Sequence, residues 1–217
     1  MTTYYKVLDE QGRSCNGGNS QWSLPVKNAD GTWTPGEWMP AVEGDLEPCE
    51  NGYHLTDAEH LLNWANASLY TAEYRGEIIE GDSKVIVRQA RLTRRVEGWN
   101  DRNLRLFAVW CARQALARVD NPDPRSIAAC DVAERFANGE ATKEELAAAR
   151  DAAWNAASAA WNAASAAWAA AAWDAASADS AAAWDAQSKK LLEMIGVTQA
   201  EVLPPAGARE AGTGQGS

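Results

Sequence analysis

The segment 147–186 constrains the fold of this chain more than any other part of its sequence. Of its 40 residues, 24 are Ala and five are Trp, and it contains no Leu, Ile, Val, Met or Phe. Alanine has the highest helix propensity, and neither Gly nor Pro interrupts the segment. The sequence therefore predicts helix throughout.

The five tryptophans of this segment recur at helical spacing, at Trp154, Trp161, Trp168, Trp173 and Trp184. The first three are seven residues apart, so they drift only slowly around a helix. The last two share a second face, about 140° from the first when each residue turns the helix by about 100°. Tryptophan at such spacing usually packs, so we interpret the five as a structural stripe. The alternative is a stacking surface for bases or a peptide groove.

Two structures satisfy this pattern. One is a single rod from Thr142 to Ile195, about 80 Å long at ~1.5 Å per residue. The other is a helical hairpin that turns near 169–181 and faces both tryptophan stripes inward. An isolated alanine helix buries little apolar area, whereas a hairpin lets the indoles of one arm cover the methyl groups of the other. We therefore expect the hairpin.

The first 97 residues are expected to form a β-rich domain with one helix. Apolar residues predict strands at 4–8, 69–74 and 84–92, of which the last is the richest in β-branched residues. Thr56-Asp57-Ala58-Glu59 has the pattern of a capping box, which predicts a helix that runs through Trp64.

Residues 98–196 are expected to be helical. A first helix presents four residues on one face, at Leu104, Phe107, Cys111 and Ala115. A second helix takes Asp123 as its N-cap and Pro124 as its first residue, and Gly139 is placed to end it. Its buried side is predicted from Ile127, Val132 and Phe136. Residues 142–145 form another capping box, which opens the Ala/Trp helix.

The fold class that follows is α+β. A small β-rich N-terminal domain, 1–97, precedes an all-α C-terminal region, 98–196, with a long Ala/Trp-rich helical hairpin. Residues 197–217, rich in Gly, Ala and Glu, are expected to be a disordered tail.

The charge balance limits the classes of function. The chain has 30 acidic and 20 basic residues, a formal charge of −10. This argues against a protein built to hold nucleic acid or an anionic membrane, since both require a positive surface. The sequence has neither a secretory leader nor a long apolar run. Its four cysteines show no close pairing, as in reduced cytosolic proteins, so a cytoplasmic location is expected.

A basic stretch stands out against this acidic background. Residues 81–105 hold seven basic and three acidic side chains, a net charge of +4. Six of the basic residues are arginines, at Arg88, Arg91, Arg94, Arg95, Arg102 and Arg105. Their guanidinium groups suit phosphate or carboxylate, so a nucleotide, an RNA end or an acidic protein could dock there. The favoured interpretation is that they pair with acidic residues of the first part or cap helix ends.

Residues 49–54, Cys-Glu-Asn-Gly-Tyr-His, are the most motif-like stretch. With Cys15 and His60 they could supply a mixed site, but zinc sites normally show pairs such as C-x2-C, and none occurs here. We expect no metal and interpret the stretch as a turn with Gly52 at positive φ.

Tyr53 and His54, followed by a helix and a strand, resemble ADP-ribosyltransferases at the level of the fold. Such an enzyme needs a catalytic glutamate near the site, and Glu73, Glu77 and Glu80 lie in no diagnostic pattern. A histidine hydrogen-bonded within the domain core is the favoured interpretation.

Two family resemblances cover most of the chain. The motifs Arg105–Arg113 and Val132–Leu146 resemble a family of immunity proteins, the helical group allied to the fifth class of polymorphic-toxin immunity proteins. Residues 4–93, with Glu47–His54 and Asp82–Lys84, resemble an uncharacterised small domain common in phage genomes. The resemblance implies a non-catalytic inhibitor or interaction protein that acts on a bacterial toxin or defence factor.

The sequence therefore predicts a non-catalytic protein-binding inhibitor of the immunity or counter-defence type, with no cofactor. Its partner would be a basic host or toxin protein, because acidic charge mimics phosphates and speeds encounter. One alternative is a binder of nucleotides or other small anions that uses the N-terminal domain, through Tyr53 and His54, and the arginine cluster. Another is a structural oligomer that assembles through the Trp–Ala helices.

Overall fold

A computed structural model describes residues 3–15, 18–64, 66–165 and 176–197, with the backbone alone at 156–165 and 176–181. The chain divides into two compact units, one from Met1–Glu97 with Ile195–Ser217 and one from Gly98–Met194. The first is built on a sheet and the second on helices, so the α+β class is confirmed.

The first unit contains a four-stranded antiparallel sheet in the order β1-β5-β6-β4. Its strands are β1 (Tyr4–Leu8), β4 (Tyr53–Leu55), β5 (Ser68–Glu80) and β6 (Val85–Arg95). A small second sheet pairs β2 (Val26–Lys27) with β3 (Trp33–Thr34). The three predicted strands are confirmed, and β5 extends well beyond its predicted end.

The large sheet curls until its two edges meet. Tyr5 of β1 donates to Thr56 O at 2.7 Å and accepts from Thr56 N at 2.9 Å, which joins β1 to the residue that follows β4. The pairing of β5 with β6 shifts register between Thr71 and Ala72 and between Arg75 and Ile78, and such shifts supply curvature because a bulge bends and twists its strand. The curl brings side chains of β1 and β4 to one concave region.

The prediction that a capping box at Thr56 begins an α-helix is wrong. Thr56 bridges to Tyr5 instead, and the segment forms only a single 3-10 turn, Leu61–Trp64. Asp57 takes over the capping, since its Oδ1 accepts from His60 N at 3.0 Å. Tertiary pairing of Thr56 with β1 therefore outweighs the local capping pattern.

Large side chains fill the core of the first unit. Leu8, Val87 and Leu92 have no exposed surface, and Trp22 is 3% exposed. The coil 36–42 covers part of β6, with Met39 N donating to Ala90 O at 2.9 Å. The core therefore closes around β1, β5 and β6 with few large apolar side chains left outside.

The described part of the second unit holds four helices, α1 (Asp101–Leu116), α2 (Pro124–Ala137), α3 (Lys143–Ser165) and α4 (Ala176–Met194). In this unit α2 packs on both α1 and α3, and α4 packs on α1. None of the described helices is both long and apolar enough to cross a membrane.

Local capping signals set the helix ends as predicted. Asp123 accepts from Arg125 N at 2.8 Å at the start of α2, and Gly139 follows its end at φ +77°. At the start of α3, Glu145 N donates to Thr142 Oγ1 at 3.1 Å while Thr142 N donates to Glu145 Oε2 at 2.8 Å. This reciprocal pair is the predicted capping box.

The predicted buried side of α2 is wrong at one position. Ile127 is 43% exposed, whereas Cys130 is 7% exposed and is the buried residue of this helix. Three residues turn a helix by about 300°, so the buried position lies about 60° around the helix from Ile127. Of the hairpin turn predicted near 169–181, residues 169–175 lie outside the described residues, and 176–181 belong to the first turns of α4.

Candidate functional site

The arginines of β6 contact groups within their own unit. Arg88 forms an ion pair with Glu77 and donates to two loop carbonyls at 2.9 and 2.8 Å. Arg91 forms an ion pair with Glu73 across the β5–β6 ladder. These contacts favour the interpretation that the arginines pair with acidic residues of the first part.

Trp38 contacts two guanidinium groups. The Arg75 and Arg91 guanidinium carbons lie 3.9 and 4.6 Å from its ring centroid, within cation–π range. At the end of β6, Arg94 is half-buried and Arg95 is exposed. This side of the sheet is therefore a network of Arg, Glu and Trp side chains that support one another.

The other two arginines of the sequence cluster belong to the helical unit. Arg102 donates to Asn138 Oδ1 at 2.8 Å, and the Arg105 guanidinium lies 4.8 Å from the Phe136 ring centroid. The cluster is thus divided between the two units, with its members engaged in different local structures.

Tyr53 and His54 line a cavity of about 440 Å³ in the first unit, which we call the lysine cavity. Strands β1 and β4 and the loops beside them form its walls. Its ionisable and thiol side chains include six residues, Lys6, Cys15, Cys49, Glu50, His54 and Lys84.

Two ammonium groups are held at this cavity by indole rings. Lys6 Nζ lies 5.2 Å from the Trp22 ring centroid and donates to His54 O at 3.0 Å. Lys84 Nζ lies 5.3 Å from the Trp64 ring centroid and contacts Cys49 Sγ at 3.0 Å. Burial lowers the pKa of Lys6 to about 8, and the nearby Lys84 charge acts in the same direction.

His54 is held in its neutral form. Cys49 N donates to His54 Nε2 at 2.9 Å, so the ring proton belongs on Nδ1. Burial, assisted by the Lys84 and Lys6 charges, lowers the pKa of His54 to about 4. Its ring therefore fixes the Cys49 loop and adds no charge near neutral pH.

Backbone conformation at this loop is unusual at two positions. Cys49 has φ +69°, which non-glycine residues seldom adopt, and Gly52 has φ +130° as predicted from the sequence. A Cβ on Gly52 would lie 2.3 Å from Ile86 Cγ2.

Among the described residues, no three His, Cys, Asp or Glu side chains are grouped to hold a metal ion. All four cysteines are free thiols.

A second concave surface lies within the helical unit. Helices α1, α2 and α3 line a groove of about 770 Å³, which we call the alanine groove. Seven alanines form much of its surface, and the larger apolar side chains in it are Val109, Leu116, Leu146 and Trp154. Because methyl groups fill little of the space between helices, the apolar face stays open.

The charges at the alanine groove are all positive. Arg105, Lys143 and Arg150 line it, and none of its described lining residues carries a carboxylate. This is unexpected in a chain with a formal charge of −10. Lys143 and Arg150 are seven residues apart on α3, which places them on one face about 10 Å apart along the axis.

The described tryptophans of the Ala/Trp segment are not enclosed. Trp154 is 75% exposed at the alanine groove, and Trp184 is 41% exposed on α4. The side chains of Trp161, Trp168 and Trp173 lie outside the described residues. The placement of Trp154 favours the peptide-groove alternative over a wholly packed stripe.

Sequence reasoning missed the two lysines of the cavity. Lys6 sits in a predicted strand and Lys84 next to one, and neither belongs to the basic cluster of arginines. The available signal was Lys6 itself, a single cation between Tyr5 and Val7 in an otherwise apolar strand. The curl of the sheet, which joins β1 to the residue after β4, brings Lys6 and Lys84 to one cavity.

Comparison of the chain with models of known protein families, with curated proteins and with solved structures finds no match.

Proposed function

We propose that this chain is a non-catalytic protein-binding inhibitor of the immunity or counter-defence type, and that its alanine groove receives an acidic amphipathic helix of the target. The observation that carries the proposal is a large, alanine-lined groove whose described lining residues include three cations and no carboxylate.

The floor of the groove suits a helix from another protein. Small side chains let a partner backbone approach closely and leave space for its Leu, Met or aromatic side chains. Amphipathic helices bind such grooves through apolar anchors at positions i, i+3, i+4 and i+7. The exposed indole of Trp154 adds an aromatic anchor, a residue type enriched at binding hot spots.

The rim of the groove supplies charge selection. Arg105, Lys143 and Arg150 line the groove and suit a ligand that carries carboxylates, and the Phe136 ring contacts the Arg105 guanidinium. A docked segment with Glu or Asp about two turns apart would match Lys143 and Arg150. The net charge of −10 acts over longer range, where it would speed encounter with a target of overall basic charge.

A displayed library tests this proposal without knowledge of the target. The library consists of helical peptides with a fixed Leu face and with Glu, Lys, Gln or Ser at each polar position. Selection on the full-length protein is expected to enrich Glu at positions one or two turns apart. Enrichment of Lys, or no enrichment, would overturn the proposal.

Variants of the groove locate the binding. Lys143→Glu combined with Arg150→Glu is expected to weaken the best acidic peptide about tenfold, and Ala108→Trp should block the groove with a large side chain. The matched control is Arg118→Glu, an exposed cation of the same unit outside the groove. If the groove variants bind the peptide as tightly as the control does, the peptide binds elsewhere and the proposed groove site is refuted.

Self-association through the Trp–Ala helices is the second candidate, and the exposure of Trp154 and Trp184 favours it. The helical hairpin remains part of the proposed fold, with its turn before Ala176, where α4 begins. Sedimentation equilibrium separates the candidates. Assembly that rises with concentration and is lost in Trp154→Ser and Trp184→Ser supports the oligomer, whereas a monomer at every concentration excludes it.

A further inference from the structure

A second ligand class follows from the lysine cavity, independently of the alanine groove. We propose that this cavity binds a small organic phosphate monoester, with the phosphate between the ammonium groups of Lys6 and Lys84 and the organic part against the Tyr53 side of the cavity.

The ammonium groups of Lys6 and Lys84 have N–H donors that the structure leaves available for a ligand. Each has three N–H donors, and the structure engages one per group, from Lys6 to His54 O and from Lys84 to Cys49 Sγ. Within the described part of the chain, neither forms an ion pair with a carboxylate. Two positive charges at one cavity, neither of them paired with a carboxylate, fit a dianion such as a phosphate monoester.

The indole rings pre-organise these charges. Trp22 is 3% exposed and holds an edge-to-face contact with Tyr53 at 5.5 Å, so the ring near Lys6 is fixed in the core. Trp64 donates from Nε1 to Ser83 O at 3.2 Å, beside Lys84. Lysines held by anchored rings lose less conformational freedom when a ligand binds, which favours affinity.

The size of the cavity requires more than an inorganic ion. A volume of about 440 Å³ falls in the range of roughly 300–1,000 Å³ that suits organic ligands. A phosphate group alone would fill only part of this volume. The polar and aromatic walls suit a compact organic body of sugar or ring type.

One carboxylate opposes the phosphate and makes the proposal sharper. Glu50 lines the same cavity and is exposed at its rim, so it would repel an anion. Removal of its charge should tighten binding, whereas removal of a lysine charge should weaken it. Opposite signs at residues of one cavity are not expected from a general loss of structure.

The pH dependence of binding should follow Lys6. Burial lowers the pKa of Lys6 to about 8, so it loses its charge as the pH rises through that value and phosphate binding weakens. The other ionisable groups at the cavity are Cys15, Cys49, Glu50, Tyr5, Tyr53, His54 and Lys84. Of these, the pKa of Cys15 is raised by burial, and a thiolate there would add to the loss at high pH.

Calorimetric titration of the full-length protein at pH 7 tests the site. The probes are adenosine monophosphate, glucose 6-phosphate, their parents adenosine and glucose, citrate and inorganic phosphate. At least one ester is expected to bind tenfold or more tightly than its parent and than inorganic phosphate. Absence of binding by both esters, equal binding of ester and parent, or binding of citrate alone would overturn the proposal.

Three variants and a control assign the binding to the cavity. Lys84→Met and Lys6→Met should each weaken the ester at least tenfold, and Glu50→Gln should strengthen it severalfold. Lys27→Met is the matched control, because Lys27 is an exposed ammonium of the same unit that pairs with Glu97 outside the cavity. If a lysine variant does not fold, Glu50→Gln at the exposed rim still decides the sign. The site would be refuted if Lys27→Met weakened binding as much as the two lysine variants of the cavity. It would also be refuted if Glu50→Gln weakened binding.

Discussion

The two units of this protein reach their concave surfaces by opposite routes. The sheet unit closes its core with large side chains such as Trp22 and Leu92, and the cavity that remains has both polar and aromatic walls. The helical unit is built largely from alanine, and its described helices leave an open apolar groove. Side-chain volume therefore decides whether an apolar surface is buried on folding or remains exposed for binding.

The largest expected effect contrasts a core leucine with a groove leucine. Leu92→Ala should lower the free energy of unfolding by about 4 kcal/mol, because it empties a fully buried position, whereas Leu146→Ala at the half-exposed groove should cost about 1 kcal/mol. Urea denaturation measures both. Equal losses would mean that the groove is covered in solution and would remove the contrast between the units.

A glycine substitution tests how tightly the sheet unit is packed at its cavity. Gly52→Ala should cost about 3 kcal/mol, since it adds a strained positive φ to a contact of 2.3 Å with Ile86 Cγ2. Gly31→Ala is the control, at φ +86° with no atom within 4 Å, and should cost about 1 kcal/mol. Thermal unfolding in which both variants behave alike would show that the clash is relieved cheaply.

The capping box of α3 tests how far the helical unit depends on local signals. Thr142→Ala should cost about 1 kcal/mol, because Glu145 N loses its acceptor at the start of the helix. Thr142→Ser keeps the hydroxyl and should lie close to the parent. The measurement is urea unfolding followed by circular dichroism of the helices, and an unchanged midpoint for Thr142→Ala would contradict it.

The smallest expected effect is a pH dependence of stability in the sheet unit, because Lys6 is partly exposed and solvent screens its charge. The pKa of Lys6 is lowered to about 8 by burial from an ordinary 10.5. Between these values the unfolded chain binds more protons than the folded protein, so the Lys6 contribution to the free energy of unfolding rises with pH.

Comparison with Lys6→Met isolates this contribution. The variant should lack the rise between about pH 8 and the ordinary lysine value, when both proteins are unfolded in urea across that range. The parent and Lys6→Met are also compared with Cys15→Ser added to each, which removes the neighbouring thiol. The other ionisable groups at the cavity are then the same in the two proteins: Cys49, Glu50, His54 and Lys84. Parallel curves would contradict the burial of the Lys6 charge.

Much of the helical unit could be predicted from the sequence, because its signals are local. Asp123 with Pro124, the Thr142–Glu145 pair and Gly139 set helix ends within a few residues of themselves. The helix predicted after Thr56 failed for the opposite reason, since Thr56 has a partner on β1 that local sequence does not reveal.

The candidate sites were less predictable than the fold. Tyr53 and His54 were singled out and do line a cavity, but Lys6 and Lys84 were missed, because each is a single cation in its own segment. The arginine cluster was prominent in the sequence, and the structure engages Arg88 and Arg91 with Glu77 and Glu73. Local density of charge is therefore a poor guide to free charge, because the ladder of a sheet pairs residues from distant segments.

By itself, the sequence determined the α+β division, the ends of the helices and the small side-chain volume of the Ala/Trp segment, because propensity and capping act within a few residues. Only the tertiary structure decided that the edges of the sheet meet at Tyr5 and Thr56, that two ammonium groups share one cavity, and that three cations surround an apolar groove. These features depend on strand register and helix packing, which join residues far apart in the chain.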